Sequence, residues 1–184
     1  MSNYPDRHAL GRIDVITLED LPALSRDVPL DLPSIQEGWL AFEHGFDSLR
    51  GRRMMGFVYG GSQIYRMCST RLDRDADNPR GLDETTIPGG PYLRLRLRGE
   101  APAVYGQIGE AFDVLFSHAE HDSTRPHIES YRREGEIDCL VPIGTAAHLG
   151  DSWGCQAARL TAGFMMVSYS MGVNRPRRAC RRRR

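Results

Sequence analysis

Glu129-Ser130-Tyr131 is the segment whose residue types and spacing come nearest to chemistry. Strand side chains alternate between faces, so Glu129 and Tyr131 share one. A carboxylate among aromatic rings suits a lipophilic cation, because charge attracts charge and ring faces add cation–π attraction. The same carboxyl would act as a general acid or base if burial raised its pKa. The competing assignment is a sheet-edge Glu paired with an Arg such as Arg132, beside a core Tyr with a wet hydroxyl. Trp39, Phe42 and Phe46 recur at helical spacing. Phe42 and Phe46 are expected in the core, and Trp39 is a candidate to touch ligand. Tyr65, Tyr92 and Tyr105, with Phe57 and Tyr59, supply more aromatic surface, but which of them share a face with Glu129 depends on strand register. Glu136 and Asp138 alternate on the last strand; they either add negative charge to a cleft or sit on a solvated face.

Other constellations are weaker. His118, His121 and His127 cluster with Glu120 and Asp122, yet lack the His-Glu-x-x-His spacing of a helical metal site. No metal or cofactor is expected. The glycine pairs at 60–61 and 89–90 read as turns. Neither precedes Gly-Lys-Ser/Thr, and all 24 basic residues are Arg. Ser117 and Ser123 lack a nucleophile-elbow context. Cys68, Cys139, Cys155 and Cys180 form no Cys-x-x-Cys pair, so a disulfide framework or zinc site is not expected.

The composition excludes some classes. The chain has 184 residues, 40% of them apolar, enough to bury a core without staples. No apolar run reaches the ~18 residues of a membrane helix, and no signal peptide is evident; a cytoplasmic, membrane-free protein is expected. The formal charge is zero, but it is unevenly spread. Residues 1–143 carry 16 Arg against 23 acidic side chains, and residues 144–184 carry 8 Arg against one. The expected division is a domain over 1–143 and an Arg-rich tail over 144–184, largely disordered, able to touch nucleic acid only weakly.

Residues 12–18 read as a strand that extends toward Leu24 and Val28. A helix is predicted over 35–49, capped by Ser34 with Glu37 and stopped at Gly51. Apolar runs at 53–59 and 63–72 flank a hairpin turn, and 73–81 reads as a polar loop or linker. Residues 83–98 are strand-like with a break at 88–91, and Leu93, Leu95 and Leu97 point inward while Arg94, Arg96 and Arg98 point to water. A helix over 102–117 and strands over 127–133 and 136–143 complete the order. The expectation is an α+β domain of duplicated β-α-β-β units, an antiparallel sheet with two helices on one face and a central ligand groove.

Thr86-Ile87-Pro88-Gly89-Gly90-Pro91-Tyr92, Arg98-Gly99-Glu100, Ile128-Glu129-Ser130-Tyr131 and Glu136-Ile137-Asp138-Cys139-Leu140-Val141-Pro142-Ile143 resemble the GyrI-like family. Arg53-Met54-Met55-Gly56 and Tyr65-Arg66-Met67-Cys68 extend the likeness to about residues 12–143. The family includes gyrase inhibitory protein and the effector-binding domains of AraC-type and MerR-type multidrug regulators. The resemblance implies a stand-alone small-molecule-binding domain with Glu129 facing the pocket, and Tyr131, Trp39, Tyr65, Tyr92 and Tyr105 as candidate lining. Its ligand would be a bulky cationic or electrophilic drug or toxin. Two alternatives stay open: a hydrolase of cyclopropane-type DNA-alkylating compounds with Glu129 catalytic, and a protein-interaction module partnering DNA gyrase or a separate regulator.

Overall fold

The computed structural model describes residues 6–78 and 80–144. The Arg-rich tail expected over 144–184 lies outside the described residues, Gly144 apart. Nine strands, β1 (Asp6–His8), β2 (Gly11–Leu18), β3 (Leu21–Pro29), β4 (Met54–Val58), β5 (Ile64–Thr70), β6 (Asp83–Ile87), β7 (Gly90–Arg98), β8 (His127–Arg133) and β9 (Glu136–Pro142), accompany two helices, α1 (Leu32–His44) and α2 (Ile108–His118). The strands form one sheet in the order β1-β2-β7-β9-β8-β4-β5-β3-β6, and every pairing is antiparallel. The α+β class read from the sequence is therefore the observed one.

The first expected strand is two. Leu18 stands opposite Gly90 at the end of the β2–β7 ladder, and Leu21 stands opposite Ile87 where β3–β6 begins. The register is unchanged across the interruption, so 11–29 and 83–98 run as one ribbon bent at Glu19-Asp20 and Pro88-Gly89. Gly89 permits the bend. Its N–H donates to Asp20 Oδ1 at 2.6 Å, and a Cβ there would press on the backbone of Leu18 and Asp20. Arg125 clamps the same corner, donating to the carbonyls of Gly89, Pro91 and Ile143 and to Asp122.

Alternation gives the sheet two dissimilar faces. On one, Leu93, Leu95, Leu97, Ile137, Cys139, Val141 and Met67 pack against Ile35, Trp39 and Phe42 of α1 and Ile108, Ala111 and Leu115 of α2. On the other, Met55, Phe57, Cys68, Ile87, Tyr92, Ile128 and Leu140 form a second cluster. Both helices thus cover one face. Arg94 and Arg96 are not simply in water. Arg94 grips Asp14 at 2.8 and 2.7 Å, and Arg96 grips Asp138 at 2.5 and 3.0 Å. Glu136 pairs with Arg133 and Arg98. Glu136 and Asp138 therefore point away from the helices, buried but neutralised.

Helix α1 starts earlier than its expected cap and ends earlier than Gly51. Asp31, not Ser34, is the cap, accepting the Ser34 N–H at 2.9 Å, with Pro33 in the first turn where a missing N–H does no harm. The chain leaves the helix at Gly45 so that Phe46 can pack edge-on to Phe42 and beneath the Arg52 guanidinium, 4.0 Å from its ring centre. Helix α2 follows a 3-10 turn over 103–107, which carries Tyr105.

Candidate functional site

The sheet's central pair is β4–β8, and at its middle Gly56 stands opposite Glu129. Glu129 points to the helix-covered side, in one cross-strand row with Leu95, Cys139 and Met67. It is 3% exposed. A carboxyl so buried demands hydrogen bonds. It receives two, the Tyr65 hydroxyl at 2.7 Å and the Tyr131 hydroxyl at 2.6 Å, both to Oε2.

Tyr131 reaches it from two residues along the same strand. Tyr65 comes from β5, one strand further out, and its phenol has to cross β4. It crosses at Gly56, where a Cβ would coincide with the Tyr65 hydroxyl. Glycine inside a strand weakens it, and such a glycine commonly marks a close approach. Here the approaching group is the Tyr65 phenol on its way to Glu129. Trp39 of α1 closes the arrangement. Its indole N–H donates to the Tyr65 oxygen at 3.4 Å, and its ring meets Tyr131 edge-on at 5.4 Å. Tyr105 packs on the far side of Tyr131, ring centres 6.5 Å apart.

Burial pushes the Glu129 carboxyl above its ordinary range, while the Tyr131 and Tyr65 hydroxyls pull it partway back. The same burial, reinforced by the Glu129 charge, lifts both phenols well above theirs. At neutral pH Tyr65 and Tyr131 are therefore neutral donors. Their two hydrogen bonds to Glu129 fall on the same oxygen, Oε2.

The structure brings together Glu129, Tyr131, Tyr65, Trp39 and Tyr105. It does not bring Tyr92. That ring lies in the opposite cluster, with its hydroxyl on the Pro88 carbonyl at 3.0 Å and Arg125 over its face. Tyr92 was a candidate because aromatic type alone carries no facing; Leu93, one residue on, takes the helix side instead. One residue of the arrangement, Gly56, is missed by aromatic and carboxylate types, though a lone glycine in an apolar run is a signal of close approach.

His127, two residues before Glu129 on the same face, packs against Phe116 with ring centres 4.6 Å apart and lies 5.9 Å from His121. The cluster is aromatic packing between α2 and β8. Among the described residues no group of three or more His, Cys, Asp or Glu is placed to hold a metal ion. Burial, then the charge of His121, lowers the His127 pKa from 6.5 to about 4. The unfolded chain thus binds the proton more readily. His127 contributes its full share of stability above its unfolded pKa, and loses it as pH falls through the window between those values. Urea unfolding of His127→Gln and wild type at neutral pH and near pH 4.5 checks this. The gap between the two midpoints should narrow, or change sign in favour of the variant, at the lower pH; an unchanged gap would count against it.

These features define a class: an α+β domain whose two helices cover one face of an antiparallel sheet and enclose a carboxyl among tyrosine and tryptophan rings. No protein-family model matches the chain, and no curated protein is significantly similar to it in sequence. Solved structures share the fold. The integron cassette protein VCH_CASS2 from the mobile metagenome of Vibrio cholerae superposes with TM-score 0.55 at 12% identity, over 72% of this chain and 95% of its own. SAV2435, solved bound to tetraphenylphosphonium, gives TM-score 0.54 at 15% identity over 74% of this chain and 96% of its own. The EcmrR C-terminal domain gives 0.55 at 10% identity over 72% and 97%. Each matched chain is covered almost whole. The described residues contain no helix long and apolar enough to cross a membrane.

Proposed function

We propose that this chain is a GyrI-like small-molecule-binding domain that takes up a bulky aromatic cation, with Glu129 as the charge partner and Trp39, Tyr65, Tyr105 and Tyr131 as the walls. The observation that carries the reading is the buried Glu129 carboxyl, held through Oε2 by two neutral phenols. A structural carboxyl in a core would be paired with an Arg, as Asp75 and Asp138 are here. Glu129 is held by two phenols and is ion-paired to no Arg among the described residues, a setting that favours a soft, weakly hydrated cation over a strongly hydrated one.

Tyr131 is the half-buried member of the group, so the ligand comes in beside it, between α1 and the 103–107 turn. This opening is where the duplicated reading would put its central groove. That reading rests on element order: residues 11–70 and 83–142 each run strand, strand, helix, hairpin, and strands of the two parts pair at β4–β8 as well as at β2–β7 and β3–β6. Tetraphenylphosphonium, the ligand of SAV2435, is a suitable first probe on charge and shape.

The test is calorimetric titration of the full chain with tetraphenylphosphonium and with neutral triphenylphosphine oxide, for wild type and Glu129→Gln. Wild type should bind the cation, and the variant at least tenfold more weakly, about 1.4 kcal/mol. A saturating cation at about 100 times its dissociation constant should also add about 2.7 kcal/mol to stability. Equal affinity in the two proteins, or equal affinity for the neutral oxide, would remove the carboxylate from the binding role.

A further inference from the structure

Glu43 is a half-buried titratable group that the site as described does not use. Its Oε1 is buried and accepts no hydrogen bond from the described residues, although a carboxylate on the outer part of a helix could turn to water. It sits four residues after Trp39, so the two side chains stack on one face of α1. That face looks toward Tyr131 through Trp39. Burial raises the Tyr105 phenol, and the charges of Glu134 and Glu43 raise it further; its ring packs on Tyr131. Tyr131 thus touches Glu129 on one side and Trp39 on the other, and Glu43 follows Trp39 by one helical turn, less buried than Glu129. An unpartnered buried oxygen is a loss in the free protein, and a donor arriving with ligand would relieve it.

We infer that Glu43 is a second, outer anchor of the same site, and that the site prefers elongated aromatic ligands carrying a positive charge or N–H donor at each end. The inference rests on the proposed cation site at Glu129. A ligand end at Glu129 and a ring against Tyr131 and Tyr105 would bring its other end to Glu43 Oε1. A compact cation such as tetraphenylphosphonium has no second end and would leave Glu43 unused.

The experiment is titration of the full chain with an aromatic bis-amidine such as pentamidine and with its mono-amidine counterpart, for wild type, Glu43→Gln and Glu129→Gln. Wild type is expected to bind the bis-amidine roughly tenfold more tightly than the mono-amidine. Glu43→Gln should erase that preference and leave mono-amidine affinity unchanged. Glu129→Gln should weaken both probes. Melting of ligand-free Glu43→Gln gives the structural control: relief of an unpartnered carboxyl leaves it at least as stable as wild type. If wild type binds both probes equally, or Glu43→Gln keeps the preference, the outer anchor is wrong while the Glu129 reading stands. If wild type binds neither, both fall together.

Discussion

Gly56→Ala is expected to cost about 3 kcal/mol, at the upper end of what overpacking a core produces, and to abolish cation binding. The methyl has nowhere to go. It would occupy the place of the Tyr65 hydroxyl, and Tyr65 is itself 1% exposed, fixed by Glu129 and Trp39. Either the ring rotates away, leaving Glu129 with one hydrogen bond in a buried setting, or β4 shifts against the two strands beside it. A double-mutant cycle separates the crossing phenol from a general intolerance of the strand. On a Tyr65→Leu background the added methyl no longer meets a phenol, and Gly56→Ala should cost under about 1 kcal/mol there. Denaturant midpoints of the four proteins measure this. The same cost on both backgrounds would mean that the glycine serves the backbone and not the Tyr65–Glu129 contact.

The carboxyl and one phenol were legible because two residues on one strand carry their facing with them. Glu129 and Tyr131 needed only period-2 alternation. Trp39 needed only helical spacing. Tyr65 and Tyr92 could not be told apart, since each lies on a different strand and facing there depends on register across the sheet. The structure sorts them by a single contrast: Tyr65 is diagonal to Gly56, while Tyr92 is one residue out of phase with Leu93. Strand boundaries failed where two long strands bend together. The polar pair Glu19-Asp20 marks the break only weakly, because the bend is shared with Pro88-Gly89 between β6 and β7, 69 residues from Asp20. The α1 end failed for a similar reason. Phe46 and Leu49 continue the helical apolar spacing, but Phe46 is claimed by the Arg52 guanidinium.

Arg52 also accounts for the stretch at 73–81, whose composition reads as a loose linker. Its guanidinium donates to both Asp75 oxygens, at 2.7 and 2.5 Å, to the Thr70 carbonyl at 3.3 Å and to the Ser48 carbonyl at 3.1 Å. The two side chains are 2% and 8% exposed. Asp75 in turn accepts the Leu72 N–H at 2.8 Å, so one ion pair joins the α1–β4 connection to the β5–β6 connection. Removing one partner of a buried pair leaves the other charge without compensation, and Asp75→Asn is expected to cost about 3 kcal/mol. Asparagine keeps the shape and the acceptor for Leu72, so the loss reports the charge. The Arg52 hydrogen bonds hold the Asp75 carboxyl below its ordinary range of 3.8. Its contribution is therefore complete above the unfolded pKa and fades as pH falls through the folded one, so wild type and variant should converge in strong acid. Arg52→Met with Asp75→Leu should lose less than Asp75→Asn alone, because no charge is then left buried. Cation affinity gives the control that ties this to the architecture. The pair lies at the far end of β4 and β5 from the Tyr65 crossing, so Asp75→Asn should lower the unfolding midpoint without changing the affinity for tetraphenylphosphonium. A parallel fall in affinity would show that the cleft depends on this anchor as well as on Gly56.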